Sequence, residues 1–455
     1  MSTTKTDEGL KREIGIWGLS ANMINIIIGS GIFVLPAIVA GILGPASVIA
    51  YAFCGFLMLL IMLCFVEVGS KTSKSGGAYT YVETAFGKYP GFIVFMILFF
   101  STISATAAIA NALVDSLAVV FPVFHFNIIR IASFIFLFFG LAIINVVGVK
   151  QGVGLVKFNT IAKLLPLILF IIVGIFFVNI NNLKWAAVPG YQQVGDASLI
   201  LFFAYLGGET GLSVGGEIKN PGRTVPRSVI ISICFLILFY MAIQTIAQGI
   251  LGSHLSSEAS APIAVAGKII FGPFGFTFIL LGTAISMFGT ISGMTLNVPR
   301  SLFAISRDNV LPVAVFQKVH KKYATPYLSI LAFSTVGFLF AVLGGFRTLA
   351  MFSVASALLG YIAVSLSVIK FRRMPEMKNK GFTIPGGNLV PVLSVAICVF
   401  FLYHLKANEM ISLVVFFVAA TLLYWGLHSF KKKQMEIDTT ELNISVANIE
   451  NKKLK

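Results

Sequence analysis

Three stretches of this sequence place reactive groups where an apolar chain has no packing reason to carry them. Gly29-Ser30-Gly31 stands inside ANMINIIIGSGIFVLPAIVA, residues 21–40, with Pro36 close behind. Glycine weakens a helix and proline lacks an amide donor, so this run predicts a helix interrupted near its middle. Lys163 lies in KFNTIAKLLPLILF, among apolar residues where an ammonium is costly and functional by default. Glu209 directly follows Gly207-Gly208 in SLILFFAYLGGETGLSVGGEIKNP. In lipid, each N–H and C=O freed by an interruption must find a partner in the protein or in a water-filled cavity. Such a break therefore points to binding chemistry, with amides for an anion and carbonyls for a cation. Alternatives stay open at each place. The small residues could serve a close helix contact instead. Lys163 could snorkel to the inner face. Glu209 could recognise a cationic side chain, titrate during a functional cycle, or simply hydrogen-bond the unwound backbone.

The elements that must position these groups are membrane helices. The chain has 455 residues, 57% of them hydrophobic and 11% charged, against roughly 25% charged in a soluble domain. Apolar runs at about 16–42, 45–68, 90–122, 127–148, 154–179, 197–218, 227–251, 270–305, 326–343, 347–370, 389–405 and 410–430 predict twelve spans. With the amino terminus inside, the formal charge of +16 falls overwhelmingly on cytoplasmic loops. Only Arg130, Lys184, Lys268, Arg347 and Lys406 fall outside. That asymmetry predicts an even number of spans and two cytoplasmic termini, and it explains the basic balance without a nucleic-acid partner. Residues 1–13 read as a cytoplasmic segment without a cleavable signal, and 431–455 as a polar, mobile tail. Cys54, Cys64, Cys234 and Cys398 all lie in spans, so no disulfide and no metal site is expected. Asp115 should sit near the outer interface, whereas Glu67 and Glu217 close their helices among basic loops as gate or loop ion pairs.

The glycine interruptions fall in the first and sixth spans, five apart, so the two helices run in opposite directions. This spacing predicts inverted repeats with a site between the broken helices. IIGSGIF in span 1, SGGAYTY after span 2 and GGEIKNPGRTVPRS closing span 6 resemble the amino acid–polyamine–organocation permeases over most of residues 15–430. The resemblance implies an all-α, LeuT-type membrane fold: five-plus-five inverted repeats with helices 1 and 6 broken, then two added helices. The expected units are 14–180, 197–370 and 386–430.

The resemblance further implies amino-acid transport by alternating access across a bacterial cytoplasmic membrane. Backbone recognition is expected at Gly29, Ser30 and Gly31 for the substrate carboxylate. Carbonyls near Ile27, Phe203 and Leu206 should take the ammonium. Phe203 falls where related permeases place an aromatic gate. Lys163 matches a helix 5 lysine that replaces sodium in some relatives, with Thr290 on helix 8 as its candidate hydroxyl partner; it could also exchange a proton. Glu209 would serve side-chain specificity or coupling. Sodium-independent, proton-coupled uptake is the expected mode, with obligatory exchange of cationic or neutral amino acids as the alternative. No cofactor and no obligatory protein partner is expected. A channel would more readily build its pore by symmetry. An intramembrane enzyme needs a nucleophile with its base, or metal ligands, and the sequence offers no such set. No GxxxxGK[ST] loop is present to bind ATP.

Overall fold

In a computed structural model of the chain, the described residues are 14–72, 77–147, 153–185, 187–212, 218–258, 260–308, 310–311, 313–323, 325–377, 381–427 and 429, with side chains omitted for 153–160. The expected terminal segments 1–13 and 431–455, together with Gly76 and Gly215-Gly216-Glu217, lie outside them. Among the described residues the protein is helical, apart from one parallel bridge between Ile14 and Ile218.

The first predicted span is two helices, α1 (Ile16–Ile27) and α2 (Gly31–Leu43). Ile28 is extended between them, with ψ 91°. Pro36 lies inside α2, at its sixth residue, and so deprives the Ile32 carbonyl of its helical amide donor. Next come α3 (Ser47–Lys71), the short α4 (Ala78–Phe86) and α5 (Lys88–Ala118). Gly77 at φ 66° and Gly87 at φ 96° bracket α4, conformations that glycine adopts without strain. A π-helical turn at Phe136–Gly140 joins α6 (Asn127–Ile135) to α7 (Leu141–Val147). α8 (Val153–Gly174) carries Lys163.

The sixth predicted span is interrupted as well. α9 (Tyr191–Leu201) tightens into a 3-10 turn at Phe202–Tyr205, Leu206 is extended, and a second 3-10 turn runs over Gly208–Leu212. Gly207 makes the break at φ 102°, a conformation that other residues rarely adopt. The remaining helices are α10 (Pro221–Leu251), α11 (Pro262–Arg307, kinked at Gly272), α12 (Tyr327–Leu343), α13 (Phe346–Arg373), α14 (Leu389–Tyr403) and α15 (Ala407–Leu427). Seven continuous stretches among the described residues are long and apolar enough to cross a membrane, and four more apolar helices are shorter. The predicted first and sixth spans fall short of that length because each is broken inside the apolar run.

Two ion-pair groups tie helices together. Glu67 is fully buried near the end of α3. Its carboxylate accepts from Lys71 Nζ at 2.8 Å, Arg372 Nε at 2.8 Å, Arg372 Nη2 at 2.5 Å and the Ile384 amide at 2.9 Å. Arg372 also donates to the Gly387 carbonyl. One carboxylate thus fastens α3 to α13 and to the segment that leads into α14. At the other end of α5, Asp115 pairs with Arg130 at 2.6 Å. Removing Glu67 strands two cations around a buried pocket, at a cost of about 3–5 kcal/mol. Glu67→Ala is therefore expected to lower the apparent Tm in detergent by several degrees; a melt superimposable on wild type contradicts this account of the packing.

Candidate functional site

The two interruptions meet in space. A Cβ on Gly31 would lie 2.7 Å from Ala204 Cα, so only glycine allows α2 to approach the end of the Phe202–Tyr205 turn this closely. On the opposite side, a Cβ on Gly211 would meet Met23 at 2.9 Å. Close contact and interruption, the two readings of the first glycine run, hold together at one place.

The freed backbone groups are partly satisfied. Among the described residues the amides of Gly29, Ser30 and Gly31 donate to no protein group, while the Ser30 carbonyl accepts from Phe33 and Val34 at 3.0 and 3.2 Å. The Ser30 hydroxyl is fully buried and makes no hydrogen bond. On the carbonyl side, Lys163 Nζ donates to Asn25 O at 2.8 Å and to Ile28 O at 2.9 Å. Its side chain is 1% exposed, so it crosses from α8 to the break rather than snorkelling to the surface. The bond expected between Lys163 and Thr290 is not formed. The Thr290 hydroxyl donates instead to the Ser286 carbonyl at 2.9 Å, one turn back on its own helix, the usual outlet for a buried helical threonine.

A cavity of about 50 Å³ lies against this junction. Its wall includes Ile27, Gly29, Phe203, Leu206, Glu209 and Thr290, drawn from both breaks and from α11. Ser101 and Thr102 of α5, Met294 of α11 and Ser353 of α13 also line it. Ser30 and Gly31 stand behind it and Lys163 lines the neighbouring space. A much larger cavity of about 1420 Å³ shares Ile26, Thr102, Glu209, Thr210, Thr290 and Met294 with the small one. The junction thus adjoins a wide vestibule. Phe203 faces the small cavity and stacks edge-on against Phe346, ring centroids 5.6 Å apart.

Glu209 Oε2 accepts the Gly207 amide at 3.1 Å, closing the second break on itself. The carbonyls expected to receive an ammonium differ in occupancy. That of Phe203 accepts from Leu206 N at 3.3 Å, and that of Leu206 accepts no bond among the described residues. The Ile27 carbonyl lies 3.5 Å from the Tyr240 hydroxyl, which also reaches Ala204 O at 3.2 Å. Tyr240 therefore ties both breaks to α10. In sequence it is only a phenol inside an apolar span, and nothing local shows which carbonyls it meets.

A family model described as "Amino acid permease" matches residues 14–437. The chain belongs to this amino acid permease family. It is similar to the branched-chain amino acid permease BcaP of Bacillus subtilis, 25% identical over 452 residues, covering 96% of this chain and 97% of BcaP. It is likewise similar to the serine/threonine exchanger SteT of the same organism, 26% identical over 410 residues, covering 86% and 90%. A methylthioribose transporter of that organism is 27% identical over 446 residues, covering 93% and 95%. The protein is accordingly an integral membrane permease, and the broken helices lie within the matched region.

The two glycines flanking Ser30 make different demands on this permease. A Cβ on Gly29 would meet the Thr290 methyl at 3.8 Å, an ordinary contact, whereas one on Gly31 collides with backbone. Gly31→Ala is expected to slow uptake by roughly tenfold or more, and Gly29→Ala to be far milder, because overpacking costs about 1–3 kcal/mol. Equal rates for the two variants in reconstituted uptake contradict the asymmetry.

Proposed function

We propose that this permease is a secondary transporter of L-amino acids that works by alternating access across a cytoplasmic membrane, without sodium. In this reading the chain makes twelve crossings with both termini cytoplasmic. Residues 14–180 and 197–370 are inverted repeats, and the two breaks occupy corresponding places. The observation that carries the reading is the row of amides at Gly29, Ser30 and Gly31 with no protein partner, set beside carbonyls at a cavity wall. A zwitterion supplies both missing partners, its carboxylate to the amides and its ammonium to the carbonyls of Ile27, Phe203 and Leu206. At about 50 Å³ the cavity is smaller than an amino acid, so substrate entry widens it and brings Ser30 and Gly31 to its wall. Phe203 then closes over the ligand as the gate.

Lys163 holds the first break where a coupling cation would otherwise neutralise carbonyls. Its ammonium removes the need for sodium, and exchange of its proton makes proton-coupled uptake the favoured driving mode. Hydroxyl, methyl and thioether groups line the space left for the substrate side chain, and Glu209 is engaged by Gly207. These features favour neutral substrates and give Glu209 a role in fixing the break. Obligatory exchange is the second reading, favoured by the similarity to a protein named as an exchanger.

Proteoliposomes separate these modes. With labelled L-alanine, L-leucine, L-serine and L-lysine as probes, an inward pH gradient is expected to drive concentrative uptake of a neutral probe that a protonophore abolishes. Uptake only into vesicles preloaded with amino acid establishes exchange instead. Failure to move any probe in either format contradicts amino-acid transport. In the same assay Glu209→Gln should slow all transported probes alike; a selective loss of L-lysine would assign the carboxylate to side-chain recognition.

A further inference from the structure

Arg300 has no part in the site described above, yet it lines the wide vestibule that adjoins it. It lies seven residues before the end of α11, which places it about 10 Å inside that end of the helix. Its side chain is exposed to the cavity, and among the described residues it has no ion pair and no hydrogen bond. The other arginines and lysines inside the bundle are engaged: Arg372 and Lys71 by Glu67, Arg130 by Asp115, Lys163 by helix carbonyls. An unpaired guanidinium within a membrane-spanning helix is costly and marks a ligand pathway.

The surroundings of Arg300 point to an anion carried on a small polar molecule. Asn22 and Asn25 of α1, Asn297 and Ser301 of α11, and Tyr79 in the first turn of α4 line the same space. Tyr79 donates to Asp308 at 3.3 Å, and burial together with that carboxylate pushes its phenol up to about 12, so it stays a neutral donor. Among the described residues the only acidic one on the vestibule wall is Glu209, whose Oε2 is held by the Gly207 amide. Among the described residues the vestibule wall therefore carries two cations, Lys163 and Arg300, the latter toward the Arg307 end of α11 that defines the vestibule face, against one engaged carboxylate. A guanidinium fork matches a carboxylate in geometry and charge.

We propose that Arg300 is a capture station for the substrate carboxylate, loading and unloading the central site from the vestibule face only. This inference rests on the amino-acid transport reading. A carboxylate held there is about to exchange the guanidinium for the free amides at Gly29 and beyond, so the station acts on affinity at one face and not on the central site. Lipid phosphate is the competing anion for the same group.

The test is the KM of exchange measured separately on each face, using the L-amino acid that moves fastest in the panel. Wild type, Arg300→Gln and Arg300→Lys are compared in neutral liposomes and in liposomes containing anionic lipid. Arg300→Gln is expected to raise KM on the vestibule face by about tenfold, to leave KM on the other face within about twofold, and to do so in both lipids. Arg300→Lys should lie between them. The wild-type vestibule KM should also rise with ionic strength, and this dependence should flatten in Arg300→Gln. Active wild type with an unchanged vestibule KM in Arg300→Gln overturns the station, as does an equal change on both faces. An effect confined to anionic lipid assigns Arg300 to headgroup phosphate and overturns it too. Wild type that moves no amino acid, either by exchange or by gradient-driven uptake, refutes the transport reading itself, an outcome distinct from all of these.

Discussion

A helix interrupted inside a bilayer leaves polar backbone groups that water cannot reach, and this debt organises the centre of the protein. The Ile28 amide makes the last regular bond of the first half-helix, to Ile24 O, and regular bonding resumes with Val34 on Ser30 O, so the amides of Gly29, Ser30 and Gly31 give theirs up. Lys163 takes the carbonyls of Asn25 and Ile28, and Tyr240 approaches that of Ile27. The amides on the far side of the break are left over. An ammonium can satisfy carbonyls but not amides. The arrangement is consequently one-sided: a cation of the protein meets the carbonyls, while the amides have no partner among the described residues.

The second break is closed differently. Gly207 turns the chain at positive φ, its amide is taken by Glu209, and its carbonyl accepts both Thr210 N at 3.0 Å and Thr210 Oγ1 at 2.7 Å. Contact between Gly31 and Ala204 then makes the position of either break depend on the other. Tyr240 reinforces the coupling because its single hydroxyl proton can serve Ala204 or Ile27, but not both at once. Outside this centre, serine hydroxyls anchor α1 to α10: Ser228 Oγ donates to Ile16 O at 2.9 Å and Ser232 Oγ to Ser20 O at 3.2 Å. The half-helix that ends at the break is therefore supported along its length by the helix that carries Tyr240.

The interruptions were legible in the sequence because they have local causes. Adjacent small residues and a nearby proline mark the first, and Gly207-Gly208 marks the second. Lys163 was legible because an ammonium among apolar residues has few harmless explanations. What could not be read were contacts between distant positions with no compositional signal. Glu67 was recognisable as an ion-pair partner, but its mate Arg372 lies 305 residues away among several equivalent basic residues. Thr290 was the partner that the family resemblance implied for Lys163, yet its own helix carbonyl satisfies it more cheaply. Ser30 and Gly31 lie at the break as the sequence indicates, but behind the cavity wall rather than on it, because Gly31 is packed against Ala204. Arg300 is one of many arginines in the sequence, and only the vestibule distinguishes it.

The central claim is that Lys163 fills the role of a coupling cation at the first break. Its most direct test is uptake of a neutral amino acid into proteoliposomes with choline in place of all sodium, for wild type and for Lys163→Met. Wild type should transport at full rate without sodium, because the cation that steadies the carbonyls of Asn25 and Ile28 is covalently attached. Lys163→Met should lose most of its uptake in choline, since methionine fills the space but donates no hydrogen bond. Strict sodium dependence of wild type, or undiminished uptake in Lys163→Met, would contradict the account.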